Sequence, residues 1–110
     1  MFSRELKKGS TDLLVLSLLE ARPRHGYEVG KLIETTSGGR LHFRIGSLYP
    51  ILCRLEDRGF IIGRWVERPG ERRRRYYRLT AAGRRWLAHE RSLWQQSVLT
   101  INAIAGVPHA

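Results

Sequence analysis

A single cysteine, Cys53, in 110 residues leaves no partner for an intramolecular disulfide. The fold therefore does not depend on an oxidising compartment, and the cytoplasm is the expected location. Long apolar runs are missing too. The longest, residues 13–19, is broken by Ser17 and falls far short of the roughly 20 residues that a bilayer span needs. No small-residue cleavage site follows an apolar core, so neither a transmembrane helix nor a secretory signal is expected. His25, His42, His89 and His109 form no H-x-x-x-H pair and do not flank cysteines at zinc spacing. Gly38-Gly39 is not a phosphate-binding loop, so neither catalysis nor a metal or obligate cofactor is expected. Acidic residues are also few, 10 Asp+Glu against 20 Lys+Arg.

That imbalance gives a net charge of +10, which points to a polyanion as partner. Hydrophobic residues at 42% and charged ones at 27% suit a folded chain of one domain. The basic residues are 17 Arg to 3 Lys, and the planar guanidinium fork binds phosphates or guanine edges bidentately. A genome rich in G and C accounts equally well for that ratio, though not for the clustering. Nine arginines and only Glu67 and Glu71 fall within residues 64–85, so most of the net charge occupies one fifth of the chain.

Hydrophobic periodicity divides the rest. Ser10-Thr11-Asp12 signals a helix start, followed by a leucine-rich segment buried on most sides and stopped by Arg22-Pro23. After Gly26, Val29, Leu32 and Ile33 mark a second amphipathic helix that ends at Ser37-Gly38-Gly39. Leu48, Ile51, Leu52 and Leu55 predict a third, beginning at Ser47 as cap, with Pro50 in its first turn and Gly59 as its stop. Residues 60–67 and 73–79 alternate as two strands of a hairpin around an Arg68-Pro69-Gly70-Glu71 turn. Thr80 then caps a last helix ending at Gly106-Val107-Pro108, in which Leu87, Trp94, Val98, Ile101 and Ala105 form a heptad-like stripe.

Three helices, an arginine-loaded hairpin and a longer helix are the order of a winged helix-turn-helix with a C-terminal dimerisation helix, a mainly α fold with a small β-hairpin. Residues 1–80 would form the DNA-binding domain and 81–106 the dimerisation helix, in one compact unit. In such a fold the third helix turns its polar face to the major groove, bringing Ser47, Tyr49 and Arg54 nearest the DNA. The wing residues Arg72, Arg73, Arg74 and Arg75 would follow the backbone or a minor groove. Tyr49 has two readings, a phosphate contact through its hydroxyl or packing at a helix edge. Arg54 likewise either reads guanine or pairs with Glu56 or Asp57. His25 and Tyr27 are read as capping and packing. Cys53 is read as a small half-buried thiol, with oxidation on the recognition helix as the alternative.

The strings Leu6-Lys7-Lys8-Gly9, His25-Gly26-Tyr27-Glu28, Ser37-Gly38-Gly39, Gly46-Ser47-Leu48-Tyr49-Pro50-Ile51-Leu52, Arg54-Leu55-Glu56, Gly59-Phe60-Ile61, Arg74-Arg75-Tyr76-Tyr77-Arg78-Leu79-Thr80 and Gly83 resemble, in order and spacing, the PadR transcriptional regulators over about residues 5–100. Ser47 stands where threonine is commoner and Ile45 where proline is frequent. The resemblance implies a homodimeric winged-helix repressor of the short C-terminal-helix subgroup, bound to double-stranded operator DNA with dyad symmetry. It would be associated with the bacterial nucleoid while bound and released by a small-molecule or stress signal. Some relatives bind flat hydrophobic compounds between tryptophans, so Trp86 and Trp94 are either walls of an effector pocket or plain interface anchors. A basic winged-helix module that binds structured RNA or acts in protein assembly is the competing function. A membrane-surface role is not expected, because the last helix is too neutral beyond Arg91.

Overall fold

In the computed structural model the described residues are 4–107, with side chains from 10 onward. Helix α1 (Arg4–Leu18) runs straight through the Ser10-Thr11-Asp12 signal rather than starting there. Thr11 and Asp12 are buried, and the Asp12 carboxylate pairs with Arg54 and lies 3.8 Å from Arg58. A side chain engaged with another helix does not compete for its own backbone, so the helix continues. Burial is one-sided, on Thr11, Asp12, Val15, Leu16 and Leu19, with Leu13, Leu14 and Leu18 only half covered. The helix closes before Pro23, through bonds from Leu19 N–H to Leu16 O and Glu20 N–H to Ser17 O.

A two-residue strand, β1 (Arg24–His25), follows, which no sequence pattern announced. It leads directly into α2 (Gly26–Thr36), whose N-cap is His25. The Nδ1 atom of His25 accepts from Glu28 N–H at 3.2 Å. Gly38 and Gly39 adopt left-handed backbone, and Gly39 N–H reaches Glu34 O at 2.8 Å, the C-terminal closure expected of them.

Helix α3 (Ile45–Asp57) has Arg44 as its N-cap, three residues upstream of the anticipated cap. Ser47 therefore lies in the first turn, its N–H bonded to Arg44 O at 2.9 Å, and it is not the cap. Pro50 falls one turn inside the helix and removes the donor that would have met Gly46 O. Leu48, Leu52 and Leu55 bury the inner face.

Strands β2 (Ile61–Val66) and β3 (Arg74–Leu79) pair antiparallel, and β1 joins the free edge of β3. The hairpin is thus part of a three-stranded sheet, and Arg72 and Arg73 sit in the connection rather than in a strand. The register sets Ile61 opposite Leu79, Gly63 opposite Tyr77 and Trp65 opposite Arg75, all on the face towards α3. Helix α4 (Ala81–Ala105) is capped by Thr80, whose hydroxyl accepts from Gly83 N–H at 3.0 Å and donates to Gly59 O at 2.6 Å. Gly106 closes it in left-handed backbone; Pro108, expected to help end it, lies outside the described residues.

The core gathers the inner faces of all four helices around Leu16, Leu19, Val29, Leu48, Leu52 and Leu55, with Ile61, Tyr77 and Leu79 from the sheet. Leu87 belongs to that core, only 1% exposed, which corrects its assignment to a dimer stripe. The first turns of α4 pack on α1, and periodicity alone cannot separate a position facing its own core from one facing a partner. No helix among the described residues is long and apolar enough to cross a membrane.

Candidate nucleic-acid interface

The α2–α3 angle, the end of β1 and the wing enclose an open cleft of 430 Å³. Tyr49 enters it from α3. Trp65 and Arg72, Arg73, Arg74 and Arg75 enter from the wing, and His25, Tyr27 and Ile45 from the start of α2 and α3. The four arginines and Tyr49 were singled out in the sequence; His25, Tyr27 and Ile45 as wall residues were not. Their placement depends on β1, which swings His25 onto the edge of β3 opposite Tyr76. The His25 ring meets Tyr76 edge-on at 5.2 Å and stacks with Tyr27 at 6.5 Å.

Charge is distributed unevenly along the wing. Arg73 lies 4.7 Å above the Trp65 ring and 3.7 Å from Glu67, held by a cation–π contact. Arg72 and Arg74 have no acidic partner among the described residues. Burial pushes the His25 pKa below its ordinary value, and the neighbouring Arg74 charge pushes it the same way. The imidazole is thereby kept neutral, as its capping role requires.

Arg75 differs from its neighbours. Its Nη2 donates to Glu56 Oε2 at 2.8 Å, and both side chains are about three-quarters covered (27% and 28% exposed). Burial opposes the Arg75 charge, yet the Glu56 carboxylate more than offsets this and holds its pKa above the ordinary value.

Tyr49 is 54% exposed, and a hydrogen bond with the Cys53 thiol raises its hydroxyl pKa. A neutral phenol with an exposed oxygen can serve a phosphate as donor. Cys53 itself is half-buried. Ser47 is exposed in the first turn of α3 but does not line the cleft. Arg54 lies on the other edge of α3, paired with Asp12 of α1 rather than with Glu56 or Asp57. An ion pair within the molecule is thus its observed contact.

The last helix presents a separate surface. Arg91 makes a bidentate pair with Glu20, both bonds 3.0 Å, and residues 91–101 beyond that point are all exposed. Trp94, Val98 and Ile101 share one face with Ala105 there, while Leu93, Leu99 and Ile104 (83% exposed) are further apolar positions that the heptad pattern did not include. Trp86 does not join Trp94. It is half-buried against Phe60, ring centroids 5.5 Å apart, two turns closer to the body. Among the described residues no three His, Cys, Asp or Glu side chains are grouped to hold a metal ion.

The transcriptional regulator PadR-like family model matches residues 15–89. A transcriptional regulator from Clostridium thermocellum shares 30% of its sequence with this chain, covers 94% of it and 97% of its own length, and superposes with a TM-score of 0.84. A PadR-like transcription factor from Bacteroides fragilis is 31% identical over 91% of this chain and 94% of its own, with a TM-score of 0.76. A PadR family transcriptional regulator from Eggerthella lenta is 29% identical over 94% and 88%, with a TM-score of 0.80.

Proposed function

Because the chain belongs to the transcriptional regulator PadR-like family, and is thus a regulator of transcription rather than an enzyme, we propose that it acts as a homodimeric repressor bound to double-stranded operator DNA. The observation that carries this reading is the cleft in which Tyr49 faces Arg72, Arg73 and Arg74, two of these arginines lacking any acidic partner among the described residues. Exposed guanidinium groups held together by the fold repel one another unless an anion lies between them. A duplex whose major groove receives α3 brings its flanking phosphates to the wing. Ser47 and Tyr49 would contact the DNA from α3; Arg54 would need to leave Asp12 to do so.

Residues 1–80 act in this reading as the DNA-binding unit and 81–106 as the dimerisation helix, anchored through Leu87 and paired through Trp94, Val98, Ile101 and Ala105. The support is physical. A helical segment of about 14 residues exposed on every side is marginal in water, and an apolar stripe along it is covered by an antiparallel or crossed copy of itself. Two-fold pairing presents two α3 helices to half-sites about 34 Å apart. A flat hydrophobic effector wedged between the paired helices at Trp94 would supply release; Trp86, stacked on Phe60, contributes only if that contact opens.

The test is selection of bound duplexes from a random DNA pool at physiological salt. A palindrome with fixed half-site spacing is the expected result. Enrichment without any motif would reject operator recognition and favour a nonspecific polyanion or RNA binder.

A further inference from the structure

Four consecutive arginines are alike in sequence, but one of them is tied into the body of the fold. Glu56 Oε2, on the last turn of α3, accepts from Gly63 N–H of β2 at 2.9 Å and from Arg75 Nη2 of β3 at 2.8 Å. One carboxylate oxygen therefore joins the third helix to both strands of the hairpin. Gly63 makes room for this: a Cβ there would lie 2.6 Å from Arg75 Cζ, so any larger residue displaces the guanidinium. Trp65 and Tyr77, either side along the same face, border the group at 5.7 and 5.8 Å.

We propose that Glu56, Gly63 and Arg75 form a strut that fixes the angle of the wing to the recognition helix, and that Arg75 is a positioning residue rather than a phosphate ligand. This rests on the DNA-binding reading above. The reasoning is mechanical. The base of the hairpin is already pinned, by Thr80 N–H to Phe60 O at 3.0 Å and Thr80 Oγ1 to Gly59 O. Past the strut, β3 is the strand partner of β2, and β3 adds only the short His25–Tyr76 pairing with β1, so the direction of the tip that carries Arg72 and Arg74 is set chiefly where Glu56 grips both strands. A charge-assisted bond shared with a backbone amide is directional, whereas a cation–π contact such as that of Arg73 on Trp65 permits sliding.

The two roles of Arg75 predict opposite signs for Glu56→Gln. If Arg75 were a phosphate ligand held back by Glu56, neutralising the carboxylate would release it and tighten DNA binding. As a strut, the same change weakens binding by about tenfold, in line with the loss of one charge-assisted bond. Hydroxyl-radical protection of a duplex enriched by the unmodified protein should fade at the flank covered by the wing and persist at the positions covered by α3. Glu56→Gln with Arg75→Gln should bind no more weakly than Glu56→Gln alone, because one strut is lost once, whereas a phosphate-ligand Arg75 freed by the first change would cost further affinity when the second removes it.

Glu56→Gln that binds as well as or better than the unmodified protein, or a double variant that binds more weakly than Glu56→Gln alone, overturns the strut. A readout without DNA separates this from failure of the DNA-binding reading: exchange of the Gly63 amide should quicken in Glu56→Ala while the Thr80 amide stays slow. Unchanged Gly63 exchange removes the strut even where no duplex is bound.

Discussion

Gly83→Ala tests how the recognition unit is joined to α4. Gly83 is buried three residues into α4, and a Cβ there would fall far inside contact with the Phe60 carbonyl oxygen, 2.8 Å from Leu79 Cδ1 and 3.0 Å from the Phe60 carbonyl carbon. Leu79 could turn aside; a backbone carbonyl held by its own hydrogen bond cannot. That carbonyl also accepts Thr80 N–H at 3.0 Å, so withdrawing the helix start stretches this bond and the Thr80 cap with it. Overpacking costs about 1–3 kcal/mol, and a weakened cap or hydrogen bond about 1 more. The better helix propensity of alanine returns at most about 1. The net loss is about 1–3 kcal/mol, or a Tm lower by about 5–20 °C for a domain of this size. Thermal melting followed by circular dichroism, at one fixed protein concentration so that association does not shift the midpoint, measures it directly. A variant with an equal or higher Tm would mean that the start of α4 packs differently on Phe60, since only the propensity gain would then remain.

Other perturbations address the two surfaces. Arg72→Ala with Arg74→Ala should weaken operator and random duplexes alike and flatten the salt dependence by about two units per protomer; an unchanged slope in a filter-binding titration removes the wing tip from the interface. Ile101→Asp, at a site 60% exposed on α4, should shift the protein to monomer in sedimentation velocity and cost operator affinity, and an intact dimer would refute the assigned interface. The folded pKa of His25 lies below the ordinary 6.5, so the unfolded chain binds its proton first on acidification. Its contribution to stability is present above 6.5 and is lost as the pH falls through that value towards the folded pKa. His25→Asn keeps a capping acceptor and should flatten the fall of urea-derived stability below about pH 6.5; the same slope in both proteins would refute the capping argument.

Much of this architecture is legible in the sequence because strong apolar periodicity survives context. The inner faces of α2 and α3, the hairpin with its Pro69-Gly70 turn, and the Thr80 cap all follow from residue type and spacing. The starts of α1 and α3 were less legible, and for α1 the reason is plain. Ser, Thr and Asp favour caps because they bond nearby backbone, but Asp12 pairs with Arg54 across two helices, and the preference vanishes. β1 was invisible because two residues carry no alternation and owe their strand geometry to the free edge of β3. Leu87 fits the heptad stripe and the core equally well, and the choice is made by α1, which the stripe does not encode. Arg75 was indistinguishable from Arg74 until the strand's alternation turned one inward to Glu56 and left the other exposed.

The acidic residues are few, and their positions decide where the positive charge acts. Asp12 takes Arg54 with Arg58 nearby, Glu20 takes Arg91, Glu28 takes Arg22 and Arg24, and Glu56 takes Arg75. The exposed pair among these, Glu20 with Arg91, stabilises the fold by only about 0–1 kcal/mol, so stability alone is a weak reason for it. The larger effect of all these pairs is on the field. Arg22, Arg24, Arg54 and Arg91 are neutralised locally, whereas Arg72 and Arg74 join Arg40, Arg44, Arg64, Arg68, Arg78, Arg84 and Arg85 as guanidiniums without an acidic partner among the described residues. What sets the wing apart is density: Arg72, Arg73 and Arg74 crowd one cleft beside Tyr49, and a concentrated patch of one sign attracts and orients a polyanion before contact. By the same logic an arginine that already holds a carboxylate releases little condensed counterion from DNA, which puts Arg75, with Glu56 at 2.8 Å, among the residues that build the wing and leaves the binding to its neighbours.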